Sequence, residues 1–216
     1  MRVKIVVDST ADLRPEIAEK VGIVPLSVFF GEQEYVSGVT ITPQHFYEML
    51  GESDTLPTTS QPAPYLFEEA FEKAVSEGYE VVCLTCTSKL SGTHQSANIA
   101  AAEFDGKVKA LDSQTIAIGL GILTEYAVSL AQAGCSAEEI ISELTQKREK
   151  IKLLALVDTL EYLKKGGRIS STVALAGGLL NIKPVLSVNG GEIKLLGKAR
   201  GSRQGNNLLV QENQKA

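Results

Sequence analysis

Tryptophan is absent, aromatic residues make up only 6% of the chain, and there are three cysteines and two histidines. Three cysteines are too few, and an odd number, for a disulfide scaffold. Cys83 and Cys86 form one C-x-x-C pair, with no second pair to complete a zinc site. They fall in an expected strand, where positions three apart face opposite sides, so both read as core residues and no metal is expected. Two histidines and no G-x-S-x-G elbow give a Ser/His hydrolase little support. There is no P-loop and no basic run interleaved with aromatics, so nucleic acid is not an expected partner. The longest apolar stretches, residues 116–123 and 172–182, fall short of the ~20 residues of a membrane-spanning helix. The chain opens MRVKIVVDST and meets Asp8 before any signal-like apolar region,. The expectation is a cytoplasmic protein with reduced thiols that does not span a membrane.

What is present is ordinary globular material: 216 residues, 44% hydrophobic and 22% charged,. That length suits one large domain or two small ones. The net charge of −5 is unevenly spread. Residues 1–146 carry 8 basic and 21 acidic side chains, whereas residues 147–216 carry 13 and 5. This asymmetry has two readings: a site for an anionic ligand or partner, or two subdomains with different surfaces.

Residues 3–7 (VKIVV), 81–87 (VVCLTCT), 108–111 and 153–157 read as buried strands. Residues 23–30 (IVPLSVFF) read as one further strand, with 33–36 in a hairpin to it. Helices are expected from an Asp12 cap to Lys20, over 43–50 behind Thr42, and over 64–77 up to Gly78. Others are expected over 91–104, 116–133, 136–150 behind Ser136, 159–164 and 171–180. Residues 55–62 read as a polar loop and 201–216 as a polar tail. Asn189-Gly190-Gly191 between two short strands is a hairpin signal. The fold class is therefore α/β. A parallel-sheet domain spans residues 1–150, and a smaller α+β domain spans 151–216.

Three loops that follow strands or open helices are rich in hydroxyls: Thr58-Thr59-Ser60, residues 88–93 (SKLSGT) and residues 112–115. Loops at the carboxyl ends of parallel strands hold ligands, and helix N-termini there offer free N–H groups. Hydroxyls add neutral donors, and Gly92 permits close approach, a combination suited to a carboxylate or phosphate. The competing reading makes Ser60, Ser91 and Ser113 plain helix caps. His94 follows Ser91 by three residues, the spacing of a nucleophile and base on one helical turn. Residues 116–123 and 172–180 mix Gly and Ala with Leu and Ile. They suit either the wall of an apolar tunnel or tight helix packing.

In order along the chain, DSTADL (8–13), TTSQP (58–62), SKLSGT (88–93), Asp112-Ser113, LEYLKKGGRIS (160–170), NIKPVL (181–186) and KARG (198–201) resemble the DegV family of bacterial fatty-acid-binding proteins. The resemblance implies two α/β domains with a long-chain fatty acid between them, and no other cofactor. It implies that hydroxyls of the TSQP and LSGT loops hold the carboxylate. These are Thr59 and Ser91 here, with Ser60 and Gly92 beside them. It implies Arg168 and Arg200 as head-group or partner contacts. For some members the partner is a fatty acid kinase, which phosphorylates the carboxylate. Relatives run on beyond the RG motif, so residues 151–216 are expected to be an incomplete second domain covering the acyl tunnel. The resulting reading is a carrier with no catalytic residues. The alternatives are an acyl- or phosphoryl-transfer enzyme using Ser91 and His94, and a truncated remnant that binds no lipid.

Overall fold

The computed structural model describes residues 2–169 and 182–214. They divide into two compact units, residues 1–150 and 151–216.

The first unit is built on a four-stranded parallel sheet. Its strands are β1 (Arg2–Asp8), β2 (Gly22–Val24), β6 (Tyr79–Thr85) and β7 (Val108–Asp112), in the order β2-β1-β6-β7. Both faces are covered, which is why these strands are continuous apolar runs. Val6, Val81 and Cys83 face one side, packed with Phe67 and Phe71 of α3 (Pro64–Ser76) and Ala97 and Ala100 of α4 (Thr93–Ala101). Ile5, Val7, Val82 and Leu84 alternate to the other side,. There lie α5 (Ala117–Gln132) and α6 (Ala137–Arg148). Ser136 caps α6 in a full capping box with Glu139,.

A second, antiparallel sheet has the order β4-β3-β5, with β3 (Ser27–Phe30), β4 (Gln33–Val36) and β5 (Thr58–Ser60). Residues 23–30 are not one strand. Pro25 cannot donate to a ladder, and the chain leaves the parallel sheet there to start a new one,. Residues 58–60 are not loop but an edge strand, with all three residues exposed. The first helix is also shorter than expected. The helix α1 (Pro15–Ala18) has Arg14, not Asp12, at its N-cap. The helix α2 (Pro43–Glu52) is capped by Thr42 as expected.

Gly119 and Gly121 serve close packing. A methyl on Gly121 would collide with the Asp12 carbonyl, and one on Gly119 with the Thr115 hydroxyl. Leu120 and Leu123 lie in the core, while Ile118 and Ile122 are exposed. Residues 172–180, the other stretch weighed as a tunnel wall, lie outside the described residues.

The second unit is a three-stranded antiparallel sheet, order β10-β9-β8, with β8 (Leu153–Leu156), β9 (Ile182–Asn189) and β10 (Glu192–Arg200). Gly190 and Gly191 both have positive φ (60° and 85°), as a two-residue type I′ turn demands,. The helix α7 (Glu161–Lys165) follows β8. The polar tail expected after residue 200 is instead a helix, α8 (Gly201–Gln214), packed on all three strands. It packs through missing side chains as much as present ones. A methyl on Gly205 would come within 2.5 Å of Leu156, and one on Gly197 within 2.8 Å of Leu208. Among the described residues no helix is long and apolar enough to cross a membrane.

Candidate functional site

In the parallel sheet the strand order reverses between β1 and β6. Ligands of such sheets bind in the crevice outside the carboxyl ends of the strands at that reversal. The segment after β1 is Ser9-Thr10, and the one after β6 runs from Cys86 into α4. Two carboxylates hold this second loop from its two sides. Asp8, fully buried at the end of β1, accepts from the Cys86 N–H at 2.6 Å with one oxygen. Its other oxygen takes the Thr10 N–H at 2.9 Å and the Thr10 hydroxyl at 2.6 Å. Asp112, at the end of β7, accepts from the Ser88 N–H at 3.2 Å and the Ser88 hydroxyl at 2.5 Å. The loop that carries Ser91 is thus pinned at both neighbouring strands. Neither aspartate was singled out as a site residue from sequence, although each Asp-Ser pair at a strand end marked the place.

Gly92 is the N-cap of α4, so Ser91 stands one residue before the helix. The Ser91 hydroxyl oxygen accepts from the Thr93 N–H at 3.3 Å and lies 2.9 Å from the Thr93 hydroxyl. A cavity of about 410 Å³ opens beside it, lined by Ser88, Ser91, Gly92, His94, Gln95, Asn98 and Ile99. That lining includes no Lys or Arg. Of the three serines weighed as caps, only Ser91 bonds a first-turn N–H. Ser60 donates to the Gln61 carbonyl, and buried Ser113 turns inward to Thr115.

Thr59 and Ser60 are placed unequally. On β5, Thr59 stands opposite Val28 and Ser60 opposite Ser27. Neighbouring strand residues point to opposite faces, so only one of the two hydroxyls can turn toward a given ligand. Thr59 shares its face with Val28, which is buried and lines a second cavity, of about 670 Å³. Leu13, Ile23, Ile41 and Phe46 also line that cavity, giving it a largely apolar wall.

Gln61 links the two hydroxyl segments. Its amide donates to the Ser96 hydroxyl of α4 at 3.0 Å. Its side chain also occupies the space a Cβ at Gly92 would need. The close approach expected at Gly92 is therefore made by a side chain, one that belongs to the quoted TTSQP string but was given no role.

His94 is bound on both ring nitrogens. Nε2 lies 2.9 Å from the Asn98 amide nitrogen, and Nδ1 lies 3.0 Å from the Thr85 hydroxyl. The Thr85 hydroxyl itself donates to the Leu111 carbonyl, which assigns the proton to Nδ1,. Burial lowers the His94 pKa, the nearby Asp112 charge opposes this, and Arg148 adds to it. A histidine whose folded-state pKa is depressed binds protons less well in the folded protein than in the unfolded chain. It contributes stability above the ordinary value of about 6.5, and that contribution is lost as pH falls through the folded value. Titration followed by NMR should place the His94 midpoint below about 6.5. A midpoint at or above that value would contradict the packing described.

Arg168 and Arg200 both lie in the second unit and are exposed. Arg168 Nη1 donates to the Gly166 carbonyl at 2.5 Å, and the Arg200 N–H donates to the Gln204 side chain. Among the described residues no three His, Cys, Asp or Glu side chains gather as a metal site.

A family profile described as "Uncharacterised protein, DegV family" matches residues 2–216. A DegV domain-containing protein of Deinococcus radiodurans is 40% identical over 206 residues, 94% of this chain and 73% of the relative. The solved structure of a fatty-acid-binding DegV family protein from Thermus thermophilus is 37% identical with a TM-score of 0.91. That match covers all of this chain and 78% of the other. The fatty acid kinase B3 protein of Streptococcus pneumoniae, solved loaded with linoleic acid, is 30% identical with a TM-score of 0.88. Here too the whole chain is covered, with 79% of the other. The ordered motifs, the parallel sheet with its hydroxyl-bearing crevice and these matches together place the chain in the DegV family.

Proposed function

We propose that this protein binds a long-chain fatty acid and presents its carboxylate for phosphorylation by a fatty acid kinase. The observation that carries the reading is the cavity beside Ser91. Its polar lining is neutral, at the N-terminus of a helix, in a fold matched by proteins solved with fatty acids. Ser91, with Gly92 at the helix start, and Thr59 are assigned to the carboxylate, while Ser60, on the opposite face of β5, is left out. The apolar cavity on the Thr59 side offers room for the acyl chain. Neutral donors suit a carboxylate that must later react. A bidentate arginine would engage both oxygens and stabilise the ionised form, whereas hydroxyls leave one oxygen open to phosphoryl transfer. Arg168 and Arg200 are assigned to the kinase as partner contacts, and the cytoplasm is the compartment in which that encounter would occur.

The protein is proposed to carry the acid rather than to turn it over. Support comes from His94, whose two ring nitrogens are engaged by Thr85 and Asn98 and not by Ser91. Native mass spectrometry of the protein purified from a bacterial host tests the reading. The expected result is an adduct whose mass is that of a long-chain fatty acid, released on denaturation. Folded protein that carries no acid, and takes none up on incubation, would overturn it.

A further inference from the structure

Thr93 is fully buried, yet it directs both of its hydrogen-bonding groups at one atom, the Ser91 Oγ. A serine hydroxyl has one proton and two lone pairs. The Thr93 N–H fills one lone pair. If the Ser91 proton points at Thr93 Oγ1, Ser91 has nothing to donate. If the Thr93 hydroxyl donates instead, the second lone pair of Ser91 is filled and its proton is released toward the cavity. We infer that Thr93 is the positioning residue of the site, its hydroxyl turning Ser91 from an internal donor into a donor for an acidic head group. This inference rests on the fatty-acid reading of that site.

The surroundings allow the turn. Thr93 also meets the Cys86 thiol, which burial and the Asp8 charge push up to about 12, so the sulfur remains S–H at neutral pH. The one thiol proton is held by the Asp8 carboxylate, and the sulfur accepts from the Thr93 hydroxyl when that hydroxyl does not donate to Ser91,. Cys86 itself is fixed by the bond from its N–H to Asp8. Cys86, Thr93 and Ser91 thus run in line from the end of β6 to the cavity wall, and the one Thr93 proton goes either to the sulfur or to the Ser91 oxygen.

The test compares hexadecanoic acid with hexadecan-1-ol, which has the same chain and no carboxylate. Thr93→Val keeps the shape and removes the hydroxyl. It should weaken the acid about 10-fold, the worth of one hydrogen bond to a charged group, and leave the alcohol within about 3-fold. Thr93→Ser should bind the acid like the wild type. In a Ser91→Ala background Thr93→Val should cost nothing further, because its effect runs through Ser91. Thr93→Ala replaces the valine variant in each comparison if valine does not fold. Unchanged acid affinity, equal losses for acid and alcohol, or additive effects of the two substitutions would each overturn the inference. A wild type that binds no acid would instead remove the functional reading, and this inference with it.

Discussion

Asp8→Ala is expected to cost about 2–4 kcal/mol of folding stability, from the buried Cys86 N–H at ~1–3 kcal/mol and two part-buried Thr10 bonds at ~0.5–1.5 kcal/mol each,. Asp8 is fully buried and makes three hydrogen bonds, to the Thr10 N–H, the Thr10 hydroxyl and the Cys86 N–H. Alanine would leave the buried Cys86 N–H without its acceptor, whereas the part-buried Thr10 N–H can turn to water,. Relief of the carboxylate's own desolvation offsets part of the loss, which keeps the figure at the lower end of a simple sum. Domains of this kind are stable by only ~5–15 kcal/mol, so the variant should unfold at a clearly lower urea concentration. Asp8→Asn should fall between. It retains one acceptor for Thr10 but turns an amide N–H₂ toward the Cys86 N–H. A loss below about 1 kcal/mol for Asp8→Ala would show that the bonds are not worth what their burial implies.

The importance of Asp8 was half legible. A carboxylate right after VKIVV marked the end of a strand, but one sequence cannot say that its second oxygen reaches a loop 78 positions away. The parallel sheet was readable because strands buried on both faces must be apolar throughout. The α6 cap and the Gly190-Gly191 turn were readable because their chemistry is local. What escaped was set by tertiary contact. The strand Thr58–Ser60 has no apolar alternation and exists through pairing with β3. The helix α8 is amphipathic but polar on average, so its composition reads as a tail, and two glycines let it sit against β8 and β10. Ser91 and Thr59, the residues proposed for the carboxylate, were singled out through motifs. That Ser60 faces away from Thr59, and that Gln61 fills the space over Gly92, needed the strand register and the packing.

The second large effect concerns the ligand. Thr59→Ala and Ser91→Ala each remove a hydroxyl assigned to the carboxylate, and hydrogen bonds to charged groups are worth ~1.5–3 kcal/mol each. The double variant should therefore bind a long-chain fatty acid roughly 100-fold to 10,000-fold more weakly than the wild type. Thr59 is exposed and should cost little stability, while loss of the Ser91 bond to the Thr93 N–H should cost about 1 kcal/mol,. The acyl chain still buries its methylenes at ~0.8 kcal/mol apiece, so binding should weaken without vanishing. Ser60→Ala, on the other face of β5, should be silent. The measurement that tests the account most directly is a titration of delipidated wild type and of the Thr59→Ala/Ser91→Ala variant with hexadecanoic acid and with hexadecan-1-ol. The expected result is saturable binding of the acid by the wild type, a loss of about 100-fold or more in the variant, and an alcohol affinity that barely differs between the two. Equal affinity of wild type and variant for the acid would contradict it.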